Sequence, residues 1–396
     1  MTGPAFRHDP VRTVLPLSPS PTPQVRWTTE PAVCGYVQLA HRDTRTGADI
    51  PVPVCASPVA VPGVGVVVGT YDGRVRFYER SLAKVYWERQ VGGPVYAPLV
   101  ADHVRRRVVV STTYGHVAAL DLRGLFAWQV ETGSAVHAAP AVVPAADLLV
   151  VATFGSRCLG LDLATGEVRF TRDLPRPWHA AYGGSAAARD AYASPVSTED
   201  GGVVVACAEH VLCLEPDGSV RWQHEIGHAV KASPAVLGGR GLVAVCSVNG
   251  QCLLLDTASG QPRGAVDLGG KVVASPAVSG DFLVVGTQDG TAHGIDVTAP
   301  RLAWRAAGYA PREYTSFTVL PDGDFAAVTA GGNAVGLRRA DGRFLWETSQ
   351  LLGLAEHDPA MDVTPVVSPD GSMYCGSYSG VLYHHRFRPT ADEEQR

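Results

Sequence analysis

Residues 275–296 read SPAVSGDFLVVGTQDGTAHGID, and the order within that stretch decides the fold. Ser275-Pro276 leads into a short apolar run, a Gly-containing turn follows, then Leu283 to Val285, the turn Asp289-Gly290 and a further run to Asp296. Apolar runs this short, separated by Gly turns, are strands of a meander rather than helices. The same phrase recurs outward along the chain. Its other lead-ins are Ser57-Pro58, Ala97-Pro98, Ala139-Pro140, Ser194-Pro195, Ser233-Pro234, Ser316-Phe317 and Thr364-Pro365, most of them about forty residues apart. A strand repeat of that length predicts propeller blades, each with strands A to D.

Trp is the usual occupant of strand D near the end of a segment, as at Trp87, Trp128, Trp222, Trp304 and Trp346, with Phe170 and Arg263 read into that place in the third and fifth segments. The B to C turns Asp72-Gly73, Asn249-Gly250, Asp289-Gly290 and Ser379-Gly380 supply the positive φ of tight hairpins. The eighth segment, Thr364 to Phe387, stops after strand C and has no Trp. Gln24-Val25-Arg26-Trp27 looks like the missing fourth strand. Joining the two closes the ring without an unpaired edge. The expected fold is therefore an all-β, single eight-bladed propeller over 24–387, its last blade closed by the N-terminal strand, with a flexible leader over 1–23 and a flexible acidic tail over 388–396. A seven-bladed ring is the alternative.

Composition agrees with one globular β body: 396 residues, 46% hydrophobic, 18% charged and a net charge of −5. No basic run is present, so nucleic acid is not expected as a partner, and no long apolar stretch predicts membrane insertion. The first residues lack the apolar core of a secretory signal, which leads to a cytoplasmic expectation. The eight cysteines include no CxxC and no adjacent pair. Cys207 with Cys213, and Cys246 with Cys252, flank B to C hairpins; small buried thiols are the expectation for all of them. Lysine is scarce, with only Lys84, Lys231 and Lys271, two of them in comparable D to A loops.

On the stretch from Ser275 to Asp296 and the segment-final Trp residues, the repeat resembles the PQQ-binding-like, quinoprotein-type β-propeller family over nearly the whole chain. The resemblance implies architecture more than activity, because the fold carries dehydrogenases and assembly scaffolds alike. The quinoprotein dehydrogenases of this group use an adjacent cysteine pair and a calcium site, and the outer-membrane assembly relatives a lipobox cysteine behind a signal. None of these is found in this sequence, so no cofactor, PQQ included, and no metal is expected.

In a propeller, strand A starts beside the axis, so the residue just before each lead-in lies at the mouth of the axial pore. Those places hold Cys55, Tyr96, His137, Tyr192, Lys231, Val273, Tyr314 and Asp362. A repeat kept only for packing would place small or apolar residues there, as at Val273. The longest departures from the repeat follow strand D and would rise around the same mouth, bringing Trp178, His179, Tyr182, Glu356 and His357. Convergent polar groups and loops on one face predict a small-molecule pocket. In that reading His137 and Tyr96, Tyr192 and Tyr314 exchange protons, Lys231 binds or polarises a carbonyl or carboxylate, and Asp362 orients a partner or holds a cation. Cys55, Trp178, His179, Tyr182, Glu356 and His357 contact substrate. The expected activity is cofactor-independent acid/base chemistry on an organic, aromatic or polycyclic molecule: a cyclisation, isomerisation, elimination or hydrolysis in bacterial specialised metabolism. A non-catalytic scaffold for a partner protein or peptide is the alternative.

Overall fold

The computed structural model describes residues 27–175, 192–308, 315–353 and 361–389. Eight four-stranded antiparallel sheets follow one another in strand order A-B-C-D. The first runs from Val59–Val61 through Gly65–Gly69 and Arg74–Glu79 to Val85–Gln90. The last is built from Val366–Val367, Ser372–Gly376 and Val381–Arg386, with Ala32–Gln38 as its outer strand. The ring thus has eight blades, and an N-terminal strand closes it.

The closing segment differs from the one expected. Ala32–Gln38, not Gln24–Trp27, pairs with Val381–Arg386, from Ala32 opposite Arg386 to Gln38 opposite Val381. Gln24, Val25 and Arg26 lie outside the described residues, and Trp27 makes only an isolated bridge to Pro389. Trp27 misled because five of the other blades mark strand D with an indole, whereas here Gly35 stands in that register, opposite His384. Thr28 N–H donates to Arg388 O at 2.8 Å, and Arg388 N–H to Thr28 Oγ1 at 3.0 Å, so residues 388–389 are tied down. The leader over 1–23, and the tail from 390 onward, lie outside the described residues.

The core lies between blades rather than within them. Strand Gly65–Gly69 sends Val67 into a cluster with Ala101, Val108 and Leu120 of the second blade. Its neighbours Val66 and Val68 enter a cluster with Val366, Tyr374 and Leu382 of the eighth. Side chains alternate across a strand, so one buried on both faces must be a continuous apolar run, which is why the B and C strands read that way. Strand D is different: Val85–Gln90 alternates between exposed and half-buried residues. In every blade the C to D register shifts by one residue just beyond the Trp place. A bulge there twists the outer strand and guards the edge.

The indoles dock between blades. Trp87, Trp128, Trp222 and Trp304 donate Nε1–H to Leu122 O, Leu163 O, Thr257 O and Arg339 O of the following blade, at 2.9, 3.0, 2.8 and 2.8 Å. Each indole lies on a turn glycine of that blade; a Cβ on Gly260 would meet Trp222 at 2.5 Å, and its φ of +70° is itself left-handed. In the fifth blade the place belongs to Gly264, not Arg263, since Gly264 faces Leu254 and Arg263 falls in the bulge. Pro300, in the turn position that elsewhere holds Gly, fills that space, 2.6 Å from where a Gly264 Cβ would stand. Large and small have changed places.

The lead-in serines have a structural task as well. Ala139 N–H donates to Ser194 Oγ, Ser194 N–H to Ser233 Oγ, Ser233 N–H to Ser275 Oγ, Ser275 N–H to Ser316 Oγ and Ser316 N–H to Thr364 Oγ1, all within 2.8–3.0 Å. These bonds form a belt along the axis from the third blade to the eighth, each of these blades joined to the next. Each of these five buried N–H groups at the start of strand A gains an acceptor.

Candidate functional site at the axial mouth

Among the described residues, five D to A connections are pinned before strand A begins. The first residue of a B to C turn donates its N–H to a carbonyl two places before the mouth residue: Tyr71 to Pro53 at 3.0 Å, Phe154 to Ala135 at 2.9 Å and Val248 to Ala229 at 2.9 Å. Turn and loop are therefore locked together in those blades, and each of them presents a turn residue beside its mouth residue. The inner set is the one read from the sequence. The outer set, including Tyr71, Phe154 and Tyr378, was missed, although its signal is equally simple: the slot one or two residues after strand B.

The two sets interleave. Tyr71 meets Tyr96 edge-on at 6.4 Å, Tyr96 meets His137 at 5.1 Å, His137 stacks on Phe154 at 4.3 Å and 7°, and Phe154 meets Tyr192 at 5.0 Å. Lys231 Nζ then lies 4.3 Å from the Tyr192 ring centroid, a cation over an aromatic face. Cys55 and Asp362 continue the arc in the other direction, with the Asp362 charge acting on the Cys55 thiol. The structure thus brings together Cys55, Tyr96, His137, Tyr192, Lys231 and Asp362. Tyr314, Trp178, His179, Tyr182, Glu356 and His357 lie outside the described residues.

Burial sets the chemistry of each group. His137 is half-buried, its Nδ1 has no hydrogen-bond partner among the described residues, and desolvation of the imidazolium lowers its pKa to about 4. It is neutral at pH 7, able to donate or accept one bond but a weak base as it stands. Burial, followed by the Tyr378, Cys55, Tyr71 and Tyr192 side chains, raises the Tyr96 phenol, which stays protonated as a hydrogen-bond donor. Burial first, then Asp362, pushes the Cys55 thiol up to about 12, so it is no nucleophile at neutral pH. Asp362 is only 4% exposed, and its Oδ2 accepts from Ser377 Oγ at 3.2 Å and from Tyr378 N–H. That carboxylate holds the turn that presents Tyr378.

No two cysteines are adjacent in the sequence, so the adjacent-cysteine seat of the quinoprotein dehydrogenases has no counterpart here. The cysteine pairs read from the hairpins also separate. Cys246 and Cys252 face each other across their strands, but Cys207 and Cys213 point into clusters on opposite sides of the fourth blade. A cavity of about 510 Å³ occupies the far half of the axis, beyond the serine belt, and none of the mouth residues lines it. The mouth residues and this open volume therefore lie at opposite ends of the axis.

A family model described as outer membrane protein assembly factor BamB matches residues 20–215 and 208–391. Among curated proteins, the beta-alanine-activating enzyme of Danio rerio is 33% identical over 104 residues, which is 24% of this chain and 9% of that protein. The Mus musculus protein of the same name is 28% identical over 92 residues, 22% of this chain and 8% of that one. This chain therefore spans less than a tenth of the length of those relatives. Among solved structures, BamB from Moraxella catarrhalis superposes with a TM-score of 0.70 at 17% identity, covering 90% of this chain and 100% of that one. Sqt1 from Saccharomyces cerevisiae gives 0.70 at 13%, with 90% and 98% covered, and the computationally designed Ika8 protein 0.65 at 15%, with 88% and 98% covered. At such identities the likeness is one of fold.

Proposed function

We propose, for a chain that belongs to the PQQ-repeat family described as outer membrane protein assembly factor BamB, that the D to A mouth of its propeller binds an organic anion carrying a planar ring and performs redox-neutral acid/base chemistry on it. The observation that carries this reading is the unbroken contact series Tyr96, His137, Phe154, Tyr192 and Lys231 at places where the repeat itself requires only small residues. Lys231 supplies the charge that fixes a carboxylate or polarises a carbonyl, and the phenols donate hydrogen bonds to the developing oxyanion. His137 takes the proton. Its pKa is too low for that task in the free protein, but a bound anion beside it favours the imidazolium and raises it toward neutrality.

The test is a screen of aromatic carboxylates by thermal shift and calorimetry against wild type, Lys231→Met and His137→Phe. Binding should be at least about tenfold weaker in Lys231→Met, the loss of one charge-assisted hydrogen bond. His137→Phe should retain binding but lose turnover of any ligand that wild type converts. Equal binding by wild type and Lys231→Met would overturn the reading.

A second reading, a docking face for a partner protein, is favoured by one observation. Tyr96 is 7% exposed, while Tyr71, Tyr114 and Tyr378 on the same face are 48%, 71% and 37% exposed. Exposed aromatic residues around a filled centre suit a flat interface. Here Tyr71→Ser and Tyr378→Ser would abolish association while Lys231→Met would not.

A further inference from the structure

Strand A carries every blade from the chemical mouth, past the serine belt, to the A to B turns on the other face. Seven residues separate Lys231 from Gly238, roughly 23 Å of extended chain. The cavity of about 510 Å³ fills that far half of the axis, within the size range of small-molecule sites. Its walls are aliphatic, with Val142, Val196, Val236, Val278 and Val319 contributed by successive blades. Its inner end is different: Ser194, Ser233 and Ser275 reach it from the belt.

The belt determines what those hydroxyls can offer. Ser194 Oγ already accepts Ala139 N–H at 3.0 Å, and Ser275 Oγ accepts Ser233 N–H at 2.9 Å. Each hydroxyl keeps an O–H to donate and a second lone pair to accept with. The charge-bearing lining side chains, His103 and Glu199, sit on A to B turns at the outer end, where Glu199 Oε1 is held by Gly239 N–H at 2.8 Å. Among the described residues a carboxylate or an ammonium pushed inward would meet hydroxyl groups but no counter-charge, so either ion is costly there. A neutral oxygen acceptor suits both the donors and the apolar walls.

We propose that this half of the axial channel is a second binding site, distinct from the mouth above, for a neutral organic molecule with an apolar body and a carbonyl-type oxygen at its inner end. The proposal is independent of the reading of the D to A mouth. The full chain is titrated by calorimetry with 2-decanone, decanoate and decylamine as probes of one length and three charge states. The ketone should bind saturably at one per chain, with decanoate and decylamine at least about tenfold weaker. Val236→Trp, which fills the cavity, should abolish ketone binding, and His137→Phe at the other mouth should leave it unchanged. If Val236→Trp fails to fold, Val278→Phe serves the same purpose, each variant being checked by its melting curve. Absence of saturable ketone binding, equal affinity for the three probes, or full affinity in a folded cavity-filled variant would overturn the proposal.

Discussion

At the scale of the residue, burial rather than identity decides what the polar side chains can do. Two histidines show it most clearly. His137 stacks on Phe154, and His384 stacks on Tyr374 at 4.7 Å; burial lowers both to a pKa of about 4 from an ordinary 6.5. A histidine whose folded pKa lies below its unfolded value stabilises the fold fully above pH 6.5, and that contribution is lost as pH falls toward 4. Urea unfolding followed between pH 7 and pH 4 should therefore show stability falling, by on the order of 2 kcal/mol per group. His384→Phe should flatten part of that slope. An unchanged slope would remove His384 from the account.

At the scale of the element, the repeat is held by a Trp in one blade lying on a Gly in the next, and one seam inverts the pair. Gly264 and Pro300 occupy the places that Trp222 and Gly260 occupy one blade earlier. Gly264→Trp alone drives an indole into the Pro300 ring and should cost about 1–3 kcal/mol. Pro300→Gly alone leaves a void and a looser turn. The double variant rebuilds the arrangement of the other seams, so its loss should be smaller than the sum of the two by more than about 1 kcal/mol in a double-mutant cycle. Additive losses would show that the two residues do not share one space. The first blade offers a related case: Leu82 takes a φ of +68° in the turn position of Gly124 yet is 4% exposed, tolerated because its side chain enters the core of the closing seam.

At the scale of the molecule, the ring depends on one pairing between residues almost a chain length apart, Ala32–Gln38 on Val381–Arg386. A deletion ending before Ala32 leaves that pairing in place, whereas removal of residues 1–38 strips it and exposes the C strand of the last blade as an open edge. The second deletion should lower the melting temperature and cause aggregation visible by light scattering. A monomeric protein with unchanged melting would show that the seam contributes nothing. The closed ring also separates the two halves of the axis, because the aromatic series lies at one mouth and the serine belt lies between it and the cavity.

What the sequence by itself determined were the features written in short-range pattern: strands from alternating and continuous apolar runs, turns from Gly, eight repeats from their spacing, and six of the mouth residues from their equivalent places. Each of these needs only neighbours within one blade, which local chemistry encodes. Which segment closes the ring was not legible, because Trp27 copies the local mark of strand D while Gly35 in the true strand lacks it. Nor were the outer tyrosines and Phe154, whose importance arises only when two loops of a blade are locked side by side. Tertiary structure alone decided the protonation of His137 and Cys55, since burial and not residue type moves them, and it alone opened the cavity at the far end of the axis, a volume that belongs to the ring as a whole and to no single repeat.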